Sequence, residues 1–83
     1  MLKFFAQIGI ENMKISDKIL YLRKKNKYSQ KKLASMVNVT RQTISNWETG
    51  KSIPDIYQSM ALAKAFNTDL NEFVKSTSQE AEE

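Results

Sequence analysis

The sequence predicts an all-α protein, a compact bundle of four to five short helices, and three observations support this fold class. Pro54 is the only proline, and Gly9 and Gly50 are the only glycines, so few residues interrupt a helix. The chain is rich in Leu, Ala, Lys, Gln and Met, which favour helices. No alternating apolar and polar run has turn signals on both sides. With 83 residues, the chain has room for one domain.

The first two predicted helices span residues 16–25 and 30–37. Ser16 is the candidate N-cap of the first helix and Ser29 that of the second. Asn38 ends the second helix, because asparagine tolerates the left-handed conformation found at helix ends. The apolar residues recur with helical spacing and are predicted to face the core: Ile15, Ile19, Leu22, Leu33, Ala34 and Val37.

The third predicted helix begins at its N-cap, Thr40, and runs to about residue 49, where Gly50 closes it. Ile44 and Trp47 lie three residues apart and form its predicted buried face. Val39 and Ile44 occupy the two positions of a hydrophobic staple, which sets the angle at which the chain enters the helix.

The fourth predicted helix spans residues 56–66, with Asp55 as its N-cap and Asn67 as its left-handed end. Its predicted inward residues are Ile56, Met60, Leu62, Ala63 and Phe66. A last short helix begins after Thr68 or Asp69 and is predicted to pack back onto the core through Leu70, Phe73 and Val74.

The folded domain is predicted to span residues 13–75, because the helical core is complete without the ends. Residues 1–12 are read as an N-terminal arm or a leader, and residues 76–83 as a disordered acidic tail with three glutamates.

The absence of cysteine and histidine narrows the classes of function. No disulfide, thiolate metal site, Ser-His dyad or Cys-His dyad can form, so we expect no metal, no cofactor and no enzymatic activity. No apolar run reaches the length that a membrane-spanning helix needs. These features predict a cytoplasmic protein that does not bind a membrane.

Charge is unevenly distributed along the chain. The net charge is +4, and residues 1–75 contain thirteen Lys and Arg but six Asp and Glu, a net charge of +7. A basic domain favours a polyanionic partner and associates with it faster.

The second and third helices, with the tight turn between them, fit the helix-turn-helix pattern. The exposed face of the third helix carries Arg41, Gln42, Thr43, Ser45 and Asn46. Arginine can donate two hydrogen bonds to guanine, and glutamine or asparagine can pair with adenine in the same bidentate way. The pattern therefore predicts a helix that reads the major groove of double-stranded DNA.

The stretch YSQKKLASMVNVTRQTISNWETGKSIPD resembles the helix-turn-helix of the phage Cro and C1 repressor family, also called the XRE family. The resemblance extends over residues 13–74 and implies a lambda-repressor-like DNA-binding domain. This sequence has Lys27, Asn38 and Asn67 where the family often has glycine, and Ser59 where an apolar residue is usual.

The resemblance also implies a role for individual residues. The base-contacting positions are Arg41, Gln42, Ser45 and Asn46. The phosphate-contacting positions are Gln30, Thr40, Thr43 and Lys51, and Gln30 also braces the recognition helix. Arg23 and Glu48 correspond to a structural salt bridge between the first helix and the end of the third.

The function implied is a sequence-specific transcriptional regulator, most often a repressor, that binds a pseudo-palindromic operator as a homodimer. Two alternatives remain open at this stage. One is an antitoxin that binds both DNA and a toxin, with residues 1–12 as the toxin-binding segment. The other is a protein-interaction module that has lost DNA binding, which the retained Arg41, Gln42 and Asn46 argue against.

Overall fold

The computed structural model describes residues 13–74, and all its regular structure is helical. Four helices follow in order: α1 (Ile15–Lys25), α2 (Gln30–Met36), α3 (Arg41–Glu48) and α4 (Ile56–Ala65). A fifth, α5, covers residues 70–74. The predicted all-α class is confirmed, and the helix ends agree within one residue. The predicted arm, residues 1–12, and tail, residues 76–83, lie outside the described residues. In residues 13–74 no helix is both long and apolar enough to cross a membrane.

The N-terminus of α1 differs from the prediction. Ser16 is not the N-cap, because the helix begins one residue earlier and Lys14 holds the cap position without a side-chain hydrogen bond. The Lys14 carbonyl already accepts a hydrogen bond from the Lys18 N–H at 2.8 Å. Ile15 packs against the core. This packing extends the helix to a residue before Ser16, the start that the local capping signal predicts.

The other predicted N-caps are confirmed. Ser29, Thr40 and Asp55 precede α2, α3 and α4, and each side-chain oxygen accepts a hydrogen bond from the backbone N–H three residues later, at 2.8–3.1 Å. At α4 the Gln58 side chain accepts a hydrogen bond from the Asp55 N–H at 2.9 Å, which completes a capping box.

Left-handed residues end the helices where the family often has glycine. Lys27, Asn38 and Asn67 have φ values of 61°, 60° and 56°, and Gly50 has 79°. Asparagine adopts this conformation at low cost, whereas lysine is less suited to it. The three non-glycine residues therefore make left-handed turns at the positions where the resemblance implies glycine.

One apolar core joins the helices. The largest completely buried side chains are Ile19, Leu33, Ile44, Trp47, Leu62 and Phe73, contributed by all five helices. Ile15, Leu22, Leu70 and Val74 pack around them. The core residues predicted for α1, α2, α3 and α5 are thus confirmed.

The buried face of α4 is only partly as predicted. Leu62, Ala63 and Phe66 are buried, but Ile56 and Met60 are 56% and 51% exposed. The inward stripe continues instead to Ser59, which is 6% exposed. Residues 59, 62, 63 and 66 share one helical face, so Ile56 and Met60 lie to one side of it and face solvent.

Lys18 is a buried charge that the sequence pattern did not reveal. Its side chain is on α1 and the residue is 3% exposed. The Lys18 ammonium donates to the carbonyl oxygens of Glu72 at 2.9 Å and Phe73 at 3.4 Å. These bonds attach α5 to α1.

Arg23 and Glu48 form an ion pair that connects α1 with the last residue of α3. The Arg23 Nε and Nη2 atoms donate to the two carboxylate oxygens of Glu48 at 2.5 and 3.2 Å. The side chains are 12% and 5% exposed. The Arg23 Nη1 atom also donates to the Tyr28 carbonyl at 2.9 Å, so the guanidinium joins three segments of the chain.

We predict that Glu48→Ala lowers the free energy of unfolding by about 3 kcal/mol, because it leaves Arg23 buried without its carboxylate. Urea unfolding of the full chain measures this value. Glu72→Ala, which removes the same charge from an exposed site, is the control and should change stability by less than about 0.5 kcal/mol. Equal effects of the two substitutions would contradict a structural role for the pair.

Candidate nucleic-acid interface

A tight turn sets α3 across α2. Asn38 takes the left-handed conformation, and the Val39 N–H donates to the Ala34 carbonyl at 3.0 Å. Ala34 is 4% exposed, so its small side chain lets the two helices approach closely. Val39 packs against the core, in which Ile44 is completely buried, as the hydrophobic staple requires. The geometry is that of a helix-turn-helix.

The two sides of α3 differ in character. Ile44 and Trp47 are 0% and 2% exposed and attach one side to the core. The opposite side carries two exposed residues, Arg41 and Gln42, and two half-buried ones, Ser45 and Asn46. We call these last four residues the reading face. The residues predicted to contact bases therefore lie together on one polar surface of the helix.

Hydrogen bonds already orient most of the reading face. The Gln42 Nε2 atom donates to the Asn46 Oδ1 atom at 3.0 Å, one helical turn away. The Arg41 Nη1 atom donates to the Gln30 Oε1 atom at 3.1 Å. Both bonds use part of the capacity of these groups and leave further donors and acceptors available.

Gln30 connects the reading face to the buried ion pair. While its Oε1 atom accepts from Arg41, its Nε2 atom donates to Glu48 Oε1 at 3.0 Å. Arg23, Glu48, Gln30 and Arg41 thus form a continuous chain of hydrogen bonds, which we call the bracing network. The resemblance implied that Gln30 braces the recognition helix, but its simultaneous contacts with Glu48 and Arg41 were not predicted. The sequence feature that could have indicated these contacts is the glutamine at the first position of α2.

The predicted phosphate-contacting residues flank the reading face. Thr40 and Thr43 lie at the start of α3 with their hydroxyl oxygens 2.9 Å apart. Gln30 is near this end, through its bond to Arg41. Lys51 is exposed, beyond the other end of α3, and its N–H donates to the Asn46 carbonyl at 2.9 Å. The structure therefore places three of the four together and Lys51 apart from them.

The part of the chain that contains this surface is basic along its sequence. Between Asp17 and Glu48 the chain contains eight Lys and Arg and no Asp or Glu. The carboxylate of Glu48 is 5% exposed and faces Arg23 and Gln30. Within residues 13–74 no cluster of three or more acidic, His or Cys side chains could hold a metal. The interface is thus suited to a polyanion held by side-chain hydrogen bonds and charge.

Comparison with known proteins identifies relatives that match this part of the sequence. The family model described as Helix-turn-helix matches residues 19–73. The uncharacterized HTH-type transcriptional regulator YgzD of Bacillus subtilis is 34% identical over 58 residues, which cover 70% of this chain and 88% of that protein. The HTH-type transcriptional regulator DicA of Escherichia coli is 35% identical over 54 residues, 65% of this chain and 40% of that protein.

Two further comparisons extend this picture. The HTH-type transcriptional activator BcrR of Enterococcus faecalis is 31% identical over 62 residues, 75% of this chain but 30% of that protein. Among solved structures, the P22 c2 repressor in complex with synthetic operator 9T is 31% identical, with a TM-score of 0.72. That match covers 77% of this chain and 97% of the repressor chain.

The matching residues include α2, the turn and α3, and the same segment contains the reading face and the bracing network. Sequence, fold and relatives agree on one assignment. The chain belongs to the Cro/C1-type helix-turn-helix family of DNA-binding transcriptional regulators.

Proposed function

We propose that the chain recognises a specific DNA sequence by inserting the reading face of α3 into the major groove. The main support for this proposal is the division of α3 into two sides. One side is buried, with Ile44 and Trp47, and the other is polar, with exposed and half-buried residues. An α-helix fits the width of the major groove, where each base pair presents a distinct set of donors and acceptors. The likeness to a repressor solved with its operator supports the same use of the surface.

The hydrogen bonds of the reading face suggest how bases are read. Arg41 keeps its Nη2 and Nε donors while Nη1 is bound to Gln30, so a fork remains for the O6 and N7 atoms of guanine. Gln42 keeps its Oε1 acceptor and one N–H, the pair that adenine requires. Asn46 adds two further N–H donors, and the Ser45 hydroxyl can donate or accept.

The residues around the reading face would fix its register on the duplex. Thr40 and Thr43 can donate hydroxyl hydrogens to phosphate oxygens near the start of α3, and Gln30 lies beside them. Lys51 can bind a phosphate beyond the other end of the helix. Such contacts add affinity that falls with salt and that does not depend on sequence.

The small size of the reading face favours binding by two copies of the chain, and we propose that they act as a repressor. Helix α3 has eight residues, and one such helix reads only a few base pairs. Two copies related by a two-fold axis would read a pseudo-palindrome with half-sites about one helical turn apart. Repression is the mode proposed because the P22 c2 repressor, solved in complex with an operator, is similar to 77% of this chain.

Selection of binding sites from random duplex DNA, repeated at several salt concentrations, tests this proposal. We expect a pseudo-palindrome whose half-sites are about 10 base pairs apart. The logarithm of the binding constant should fall linearly with the logarithm of salt concentration, with a slope that counts the phosphate contacts. A selected pool no richer in any sequence than the starting pool would contradict sequence-specific recognition.

We predict that Arg41→Ala weakens binding to the selected duplex by about 1–3 kcal/mol and relaxes the base preference at one position of each half-site. Arg41→Lys should retain most of the affinity for unrelated DNA but lose the same preference, because lysine lacks the bidentate fork. Fluorescence anisotropy with matched and single-base-changed duplexes measures both effects.

Lys24→Ala is the control for the loss of a positive charge, since Lys24 is exposed at the end of α1 and outside the reading face. It should change the affinity for all duplexes by a similar factor. If Arg41→Ala behaves in the same way, Arg41 does not read a base.

A further inference from the structure

Within residues 13–74, four turns contain a residue in the left-handed conformation, and one of them has an unfavourable residue type there. Asn38, Gly50 and Asn67 belong to the two types that adopt this conformation at low cost. The fourth residue is Lys27, with a φ of 61°. The short polar side chain of asparagine can bond to its own backbone in such a turn, whereas that of lysine is too long to do so. Lys27 therefore holds a conformation that glycine or asparagine would hold at lower cost.

The backbone on both sides of Lys27 is fixed by hydrogen bonds. The Lys27 N–H donates to the Lys24 carbonyl at 3.0 Å. The Tyr28 N–H donates to the Arg23 carbonyl at the same distance, which completes a Schellman motif at the end of α1. The Tyr28 carbonyl accepts from Arg23 Nη1 at 2.9 Å, and the Tyr28 hydroxyl donates to the Ala65 carbonyl at 3.2 Å. The turn is thus attached to the bracing network and to α4.

The ammonium group of Lys27 has no polar partner within residues 13–74. The residue is exposed, and its side chain forms no hydrogen bond or ion pair with the described residues. Lys24 and Lys25, by contrast, line a groove formed by Met13 and residues of α1, which we call the α1 groove. There the Lys25 ammonium lies 6.0 Å from the centre of the Tyr21 ring. A residue held in a strained conformation without a local contact indicates a function for its side chain.

Lys27 lies close to residues that are proposed to contact phosphate. Gln30 is the first residue of α2, and its side chain is bonded to Arg41 of the reading face at 3.1 Å. Three peptide units separate Lys27 from Gln30, so their Cα atoms are at most about 11 Å apart. The four-carbon stem of lysine extends its charge several ångströms further. The phosphates of one DNA strand follow one another at about 3.4 Å along the helix axis. The ammonium group can therefore reach a phosphate near the one proposed for Gln30.

We propose that Lys27 binds a phosphate of the DNA backbone, next to the one that Gln30 contacts, and that this contact compensates for the strain of a left-handed lysine. The inference rests on the proposed function, because it adds a residue to the DNA-binding surface described there. A phosphate contact carries no sequence information, so Lys27 raises the affinity for every duplex and fixes the position of α2 on the backbone. Lysine suits this role because it binds phosphate as a point charge and needs no bidentate geometry.

The competing role for Lys27 is stabilisation of α1. A positive charge beyond the carbonyl end of a helix interacts favourably with the helix dipole. The last turn of α1 already contains three basic residues, Arg23, Lys24 and Lys25, so a fourth charge adds little there. The two roles predict opposite effects of a glycine at this position. Glycine stabilises the fold if the lysine serves DNA, and it destabilises the fold if the lysine serves the helix.

Thermal unfolding of the full chain without DNA distinguishes these roles. We expect Lys27→Gly to raise the melting temperature by about 2–6 °C, because glycine adopts the left-handed conformation without strain. Lys27→Arg keeps both the charge and the strain, so it should unfold within about 1 °C of wild type. A melting temperature of Lys27→Gly below that of wild type would overturn the proposal.

The salt dependence of DNA binding measures the phosphate contact itself. In a plot of the logarithm of the binding constant for the selected duplex against that of salt concentration, Lys27→Gly should lose about 0.9 of the slope, the amount for one phosphate. Lys27→Arg should keep the wild-type slope, since arginine also binds phosphate.

Lys24→Ala is the matched control for the salt experiment. It removes one charge at the same end of α1, but from the α1 groove, and it should lose less than half as much slope as Lys27→Gly. A wild-type slope for Lys27→Gly would overturn the proposal. Equal losses for Lys27→Gly and Lys24→Ala would also overturn it, because the effect would then come from net charge alone.

Neutral phosphates locate the contact on the duplex. A methylphosphonate replaces one charged oxygen of a phosphate with a methyl group, and it is introduced at one position of the selected duplex at a time. We expect one position in each half-site to weaken binding of wild type but not of Lys27→Gly, which is the non-additivity of a direct contact. If every position weakens both proteins by the same factor, Lys27 contacts no single phosphate and the proposal is wrong.

The failure of this inference is distinguishable from that of the proposed function. If selection finds no preferred sequence, sequence-specific recognition fails, and the slopes measured on an unrelated duplex still test Lys27. If the selected duplex is bound and Lys27→Gly keeps the full slope, only this inference fails. A chain that binds no duplex at all would overturn both.

Discussion

The ion pair between Arg23 and Glu48 is the contact on which the helix-turn-helix side of this protein depends. Both side chains are nearly buried, and removing two charges from water is unfavourable unless their hydrogen bonds are met. Here the pairing is bidentate, the Tyr28 carbonyl accepts a third arginine hydrogen and Gln30 donates to the carboxylate. The pair thus connects α1 with the end of α3 and the start of α2.

This connection has a consequence for recognition. Because Gln30 contacts both Glu48 and Arg41, the position of an exposed arginine is linked to the buried ion pair through two hydrogen bonds. The same pairing turns the carboxylate of Glu48 inward, so it presents little negative charge to a polyanion. Core packing by Ile44 and Trp47 fixes the axis of α3. The bracing network restricts the side chain of Arg41, the first residue of α3. Preorganisation of this kind reduces the entropy lost when a partner binds.

Local features were predictable from the sequence, and long-range ones were not. The caps at Ser29, Thr40 and Asp55 depend on hydrogen bonds between residues three positions apart, so a few neighbouring residues of the sequence are enough to predict them. The left-handed turns at Asn38 and Asn67 are local in the same sense. The prediction of Ser16 as the N-cap of α1 was wrong, because Ile15 packs against the core and is already the first residue of the helix. The clustering of the reading face also follows from helical periodicity alone.

The choice of buried face on α4 depends on tertiary contacts. Two overlapping apolar stripes exist there, and the sequence does not say that the one containing Ser59 faces the core while Ile56 and Met60 face solvent. The burial of Lys18 likewise depends on carbonyl groups more than fifty residues away. Both departures follow from how the helices pack against one another.

A double-mutant cycle tests most directly whether the bracing network aims the reading face. The affinity for a selected duplex would be measured for Gln30→Ala, Arg41→Ala and the double variant. The reference cycle combines Gln30→Ala with Gln42→Ala, because these two side chains share no hydrogen bond in the structure. The account predicts that Gln30 and Arg41 are coupled by at least about 0.5 kcal/mol, while the reference pair is additive. Additive losses for Gln30 and Arg41 would contradict it.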